Sequence, residues 1–104
     1  MEKPIYKQND EVLVLCEIWD SGNIAEFYVT HNKTSWYIAV SEVWVKNLPG
    51  RRTWAPGEVK GIIREDLGET VLVQFPYERI MGKNPLEISK HLVRPFPHEE
   101  YIAL

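Results

Sequence analysis

Residues 57–75 read GEVKGIIREDLGETVLVQF, and this stretch decides the fold class. Alternation places Val59, Gly61 and Ile63 on one side of an extended segment, with Glu58, Lys60, Ile62 and Arg64 on the other. Val71, Val73 and Phe75 share a face in the segment that follows, and REDLGE at 64–69, with Gly68 near its end, supplies the turn between them. Two antiparallel neighbours result. Gly61, with no side chain, marks a place where the first of them bends sharply, as small barrels require.

The same texture continues in both directions. No stretch holds a sustained 3.6-residue apolar period, whereas β-branched and aromatic residues gather in short runs bounded by Gly, Pro, Asn or Asp. The pattern predicts strands over 11–18, 24–30, 35–40, 42–47, 57–64 and 69–75, with a short last one near 92–94. Turns at DSGN (20–23) and HNKT (31–34) join the first three. PYERIMGKNPLEISKH, at 76–91, has room for one more short strand and a helical turn near Glu87–His91. The fold class is all-β, with a core drawn from Val43, Val45, Val59, Ile63, Val71, Val73 and Leu92. The run Val12 to Leu15 is apolar on both faces and is expected to be covered on both.

Composition sets the outer limits. A chain of 104 residues with 44% hydrophobic and 26% charged residues supports one folded domain. The net charge of −3 is uneven: residues 1–40 carry three lysines against six acids, residues 41–97 nine basic side chains against seven acidic, and the tail Glu99 and Glu100. Brute charge therefore does not make it a polyanion binder. The one cysteine, Cys16, sits in the apolar run VLVLCEI, so no internal disulfide forms and a buried thiol is expected. That residue, the absence of an 18-residue apolar stretch and an N-terminus without a signal-peptide core point to an intracellular protein, nuclear or cytoplasmic, with no membrane partner.

Pro49-Gly50 and Pro56-Gly57 bracket a loop, LPGRRTWAPG, that should project from the sheet with Trp54 in it. Around this loop, Val43-Trp44-Val45, Gly57-Glu58-Val59, the strand Val71-Leu72-Val73-Gln74-Phe75 and the closing HLVRP at 91–95 resemble the SH3-like barrels of the Tudor family, of the Royal superfamily and Agenet type. The resemblance covers residues 41–97. It implies a small barrel there, and a tail at 98–104. Residues 1–40 would then add antiparallel strands, either as an extension of the sheet or as a degenerate first repeat of a tandem barrel. The resemblance also implies an aromatic cage in which Trp54, Phe75 and Tyr77 supply rings and Glu78 the anion. Asn47 stands where the family usually places a further ring. The implied function is non-catalytic: binding of a protein or peptide partner, methylated at Lys or Arg, in a chromatin or RNA-granule setting. A methylated cation is poorly hydrated, and ring faces attract it once water is excluded.

Two other readings stand beside that one. VWVKN at 43–47 followed by W-x-P-G-x-V is also similar to the C-terminal domains of retroelement integrases, in which case Lys46, Arg51 and Arg52 would meet phosphates while Trp54 stacks on a base. Alternatively, the chain is a scaffold or assembly domain without a small pocket, pairing an open sheet edge with another chain. The three histidines, His31, His91 and His98, have neither mutual ligand spacing nor a Cys partner, so no metal site is expected. Glu65, Asp66 and Glu69 surround a turn, where carboxylates are solvated, and no nucleophile, phosphate-loop or dinucleotide motif occurs. No enzyme and no cofactor are expected.

Overall fold

The computed structural model describes residues 4–20, 24–29, 34–39, 43–44, 54–76, 78–81 and 84–97; at 20, 24–29, 34–39, 54 and 78–81 it is the backbone that is described. The protein is all-β. Its strands are β1 (Glu11–Asp20), β2 (Ile24–Val29), β3 (Thr34–Ala39), β4 (Trp54–Asp66), β5 (Thr70–Gln74), β6 (Glu78–Met81), β7 (Leu86–Ser89) and β8 (Val93–Pro95), with a 3-10 turn at Lys90–Leu92. The predicted strands at 11–18, 24–30, 35–40, 57–64 and 69–75, and the short last one near 92–94, are all present within a few residues of their expected ends. The segment 76–91 departs from expectation: it holds two short strands, and its helical turn starts at Lys90, capped by the Ser89 hydroxyl, which accepts from the His91 N–H.

One antiparallel sheet runs β6-β3-β2-β1-β4-β5-β7, and β8 joins it on β1. The central element is β1. Along one edge it pairs with β4 over nine positions, from Glu11 opposite Ile62 to Trp19 opposite Trp54. Along the other it meets β8 at Val12–Val14 and β2 at Glu17–Asp20. Residues 11–20 are therefore in the middle of the sheet. Val43 and Trp44, expected to open that barrel as a strand, are not in a ladder; Val43 is buried, and the Trp44 N–H donates to the Glu58 carbonyl (2.9 Å). Nor does the sheet close: among the described residues β7 pairs with β5 and β8 with β1, and the 3-10 turn bridges these two strands without a ladder between them.

Parity along β1 and β4 builds the core. Val12, Val14, Cys16 and Ile18 face inward opposite Gly61, Val59, Gly57 and Ala55, and Val71 and Val73 of β5 face Ile88 and Leu86 of β7. The inward faces of 59–63 and 71–75 are thus as the alternation predicted. Leu92 packs against this core from its margin, and Val45 lies outside the described residues. Leu13, on the opposite face, is also fully buried, but its neighbour on that face, Leu15, is 42% exposed, so the outer covering of the apolar run stops between them.

β4 serves two partners. Its first part follows β1, its last part pairs with β5, and the register shifts between Ile63 and Glu65, a bulge that lets the strand turn from one to the other. At the start of this bend a Cβ on Gly61 would overlap Val73 Cγ1 and stand 3.3 Å from Phe75 Cε1. The absent side chain is what allows Phe75 and Val73 to reach the backbone of β4. Gly68, at φ +96°, closes the β4–β5 turn in a conformation that L side chains rarely adopt. The end of β5 is tied to the chain before β7 by Asn84, whose carboxamide accepts from the Phe75 N–H (3.0 Å) and donates to the Phe75 carbonyl (2.7 Å), in the manner of a strand partner.

Gly61→Ala should therefore destabilise the protein by about 1–3 kcal/mol, the usual cost of overpacking. Adding Val73→Ala should recover part of that loss because it removes the methyl that the new Cβ meets. Urea unfolding of the two variants and of Val73→Ala alone measures the coupling; strictly additive effects would contradict this account of the bend.

Candidate functional site

The expected cage does not assemble around Phe75. Its ring is 1% exposed, packed into the core against Gly61, and offers no face to a ligand. Trp54 is the first residue of β4, in register opposite Trp19, seven residues or about 23 Å of extended chain before Gly61. The register is unbroken between the two, so positions 54 and 61 also fall on opposite faces of β4. Glu78 opens β6 opposite Tyr37 of β3, three residues after Phe75 in the chain. Tyr77 and Asn47, and likewise Lys46, Arg51 and Arg52 of the nucleic-acid reading, lie outside the described residues.

The described residues instead gather a polar and aromatic constellation on the outer face of β8, β1 and β4. By register this face carries Glu11, Leu13, Leu15 and Glu17 of β1, Glu58, Lys60 and Ile62 of β4, and Arg94 of β8, with Phe96 just beyond. Phe96 is fixed there by its N–H, which donates to the Glu11 carbonyl (3.0 Å), and by an edge-to-face contact with Trp44, centroids 5.0 Å apart and planes at 79°. Over the Phe96 ring, 4.8 Å from its centroid, stands the Lys60 ammonium, which is also paired with the Glu11 carboxylate. Beside it Arg94 grips Glu58 with a two-pronged fork, Nε to Oε2 at 2.7 Å and Nη2 to Oε1 at 2.9 Å. Trp44 thus packs on the residue that follows β8.

Sequence alternation identified Glu58 and Lys60 as outward, yet their partners come from residues 11, 94 and 96, which only the β1 ladders bring near. No local motif announces such a cluster. The RPFP at 94–97 was the available signal, an aromatic between two prolines just after the last strand.

A second polar cluster lies at the other end of β4 and is structural. The Lys90 side chain, 5% exposed, pairs with Asp66 Oδ2 (2.8 Å) and donates to the Pro4 carbonyl (2.9 Å). The same Asp66 carboxylate accepts from the Tyr6 N–H (2.9 Å) and the Gly68 N–H (2.8 Å). These bonds strap residues 4–10 across the β4–β5 turn, with the Tyr6 ring in the core; Asn9 N–H to Ile63 O and Ile63 N–H to Asp10 O continue the β1–β4 register. The bond from Lys90, then those from Tyr6 and Gly68, lower the Asp66 pKa to about 2. Burial, with the Asp66 and Asp10 charges, pushes the Tyr6 phenol up. Cys16 lies against the Gly57 carbonyl (Sγ to O 3.7 Å); burial, then the charges of Glu17 and Glu58, raise its pKa, the opposite of what a nucleophilic thiolate needs.

Set against family models, curated proteins and solved structures, the chain matches none.

Because the Asp66 pKa is depressed in the folded state, its contribution to stability is complete above its ordinary pKa near 3.8 and is lost as pH falls toward about 2. Unfolding by urea at stepped pH should show wild-type stability falling across that window and a shallower fall in Asp66→Asn; equal slopes would contradict the strap. Cys16 in the native protein should resist a soluble thiol reagent until the chain unfolds globally, and labelling at the rate of a free thiol in native buffer would contradict its placement.

Proposed function

We propose that the chain is a non-catalytic interaction module that binds a protein or peptide segment on the outer face of β8, β1 and β4. The observation that carries this reading is the exposed Leu15 on the same face as the Phe96 ring, which Trp44 meets edge to face, with the Lys60–Glu11 and Arg94–Glu58 ion pairs on that face too. Apolar and aromatic anchors with a polar rim are the makeup of a protein-recognition surface. The charges of the face support a polypeptide over a nucleic acid: Lys60 and Arg94 are already engaged by Glu11 and Glu58, and Glu17 adds a third carboxylate. Phosphates would have to displace carboxylates from both cations. The buried, high-pKa Cys16 supports the non-catalytic part of the proposal.

Panning a random 12-residue peptide library on the purified protein tests this, with amide-shift mapping of the enriched peptides. Bound peptides should shift residues 13–17, 56–62 and 94–96, and Leu15→Glu, at an exposed position, should abolish binding while leaving the melting curve nearly unchanged. Failure to enrich any peptide on this face would contradict the proposal. So would binding of short DNA or RNA there that weakens steeply with salt.

A further inference from the structure

The two cations described on the outer face are held differently. Arg94 is locked to Glu58, whose side chain is 12% exposed, through a planar two-bond fork. Lys60 is 37% exposed against 47% for Arg94, but its partner Glu11 is 31% exposed where Glu58 is 12%, and the lysine makes no fork, reaching its place on a flexible four-carbon stem. Exposed pairs of this kind are weak and exchange readily.

We propose that the Phe96 ring face and the Glu11 carboxylate form a binding corner for an ammonium or guanidinium side chain of a partner polypeptide, and that Lys60 occupies it in the free protein as an internal stand-in. The inference deepens the interaction-module reading and rests on it. A ring face with a carboxylate beside it is chemistry selective for an organic cation, and the Lys60 ammonium, 4.8 Å from the Phe96 centroid, shows the position such a group takes. Trp44 holds the ring in place from its edge, so the corner persists when the lysine swings out. Among the described residues, three carboxylates stand against two cations on this face, a balance that favours an arriving cation and disfavours an anion. Displaced, Lys60 remains on the same face, free to meet an acidic group of the partner.

The test compares the full chain with Lys60→Met, which keeps the apolar stem and removes the charge, and with Lys60→Met/Phe96→Leu. The probes are N-acetyl-lysinamide and N-acetyl-argininamide, with N-acetyl-methioninamide as the neutral control, read by the Trp44 indole N–H and the amides of residues 11–13 and 94–96. Lys60→Met should bind the cationic probes more tightly than wild type, by about tenfold if Lys60 fills the corner nine-tenths of the time. The neutral probe should show no gain, and Phe96→Leu should erase it. Unchanged affinity in Lys60→Met, or a gain that survives Phe96→Leu, overturns the proposal. Library peptides without basic residues that still map to this face would leave the broader reading standing while this one falls.

Discussion

The unbroken pairing of β1 with β4 is the constraint on which the rest depends. Side chains alternate with a period of two, so nine consecutive register positions assign each residue of both strands to one face, and a slip of one would exchange the faces completely. Val12, Val14, Cys16 and Ile18 go inward with Val59 and Ile63; Glu11, Leu13 and Leu15 go outward with Ile62, Lys60 and Glu58. The cost of such a slip is large, because it would bring Lys60 and Glu58 into the core and leave two charges without water. The register is thus fixed by the same pattern that separates a core face from a contact face.

Gly61 and the bulge near Arg64 turn that flat constraint into a curved one. By admitting Phe75 and Val73 close to its backbone, Gly61 lets β4 leave β1 and continue beside β5, so that a second ladder folds over the first. Phe75 is consumed in this packing. The strap at residues 4–10, anchored through the Asp66 and Lys90 pair, adds Tyr6 to the same core near the β4–β5 turn. What remains accessible among the described residues of β1 and β4 is the outer face, where Leu13 is covered and Leu15 is not.

Much of the fold was legible from local pattern. Local pattern located six of the strands and the inward faces of β4 and β5, and the Gly68 turn and the Gly61 bend were both readable from residue type. The role of β1 was not, since an apolar run such as VLVLCEI states that a strand is buried but not which strands flank it. Its partners β4 and β8 lie about 40 and 80 residues away in sequence. For the same reason the cage expected from Trp54 and Phe75 failed: both are aromatic residues of one segment, but parity and the bend place one at the start of β4 and sink the other beneath Gly61. The outer cluster could not be assembled from sequence at all, because Glu11, Lys60 and Phe96 share no local motif and meet only through two ladders.

The most direct measurement is native-state hydrogen exchange along β1. With β4 on one edge and β8 on the other, the amides of Val12, Leu13 and Val14 should be among the slowest in the protein and should open only with global unfolding, far more slowly than those of the end strand β7. Exchange at 12–14 as fast as at 86–89 would mean that β1 is not the centre of the sheet, and the separation of core face from contact face would fall with it.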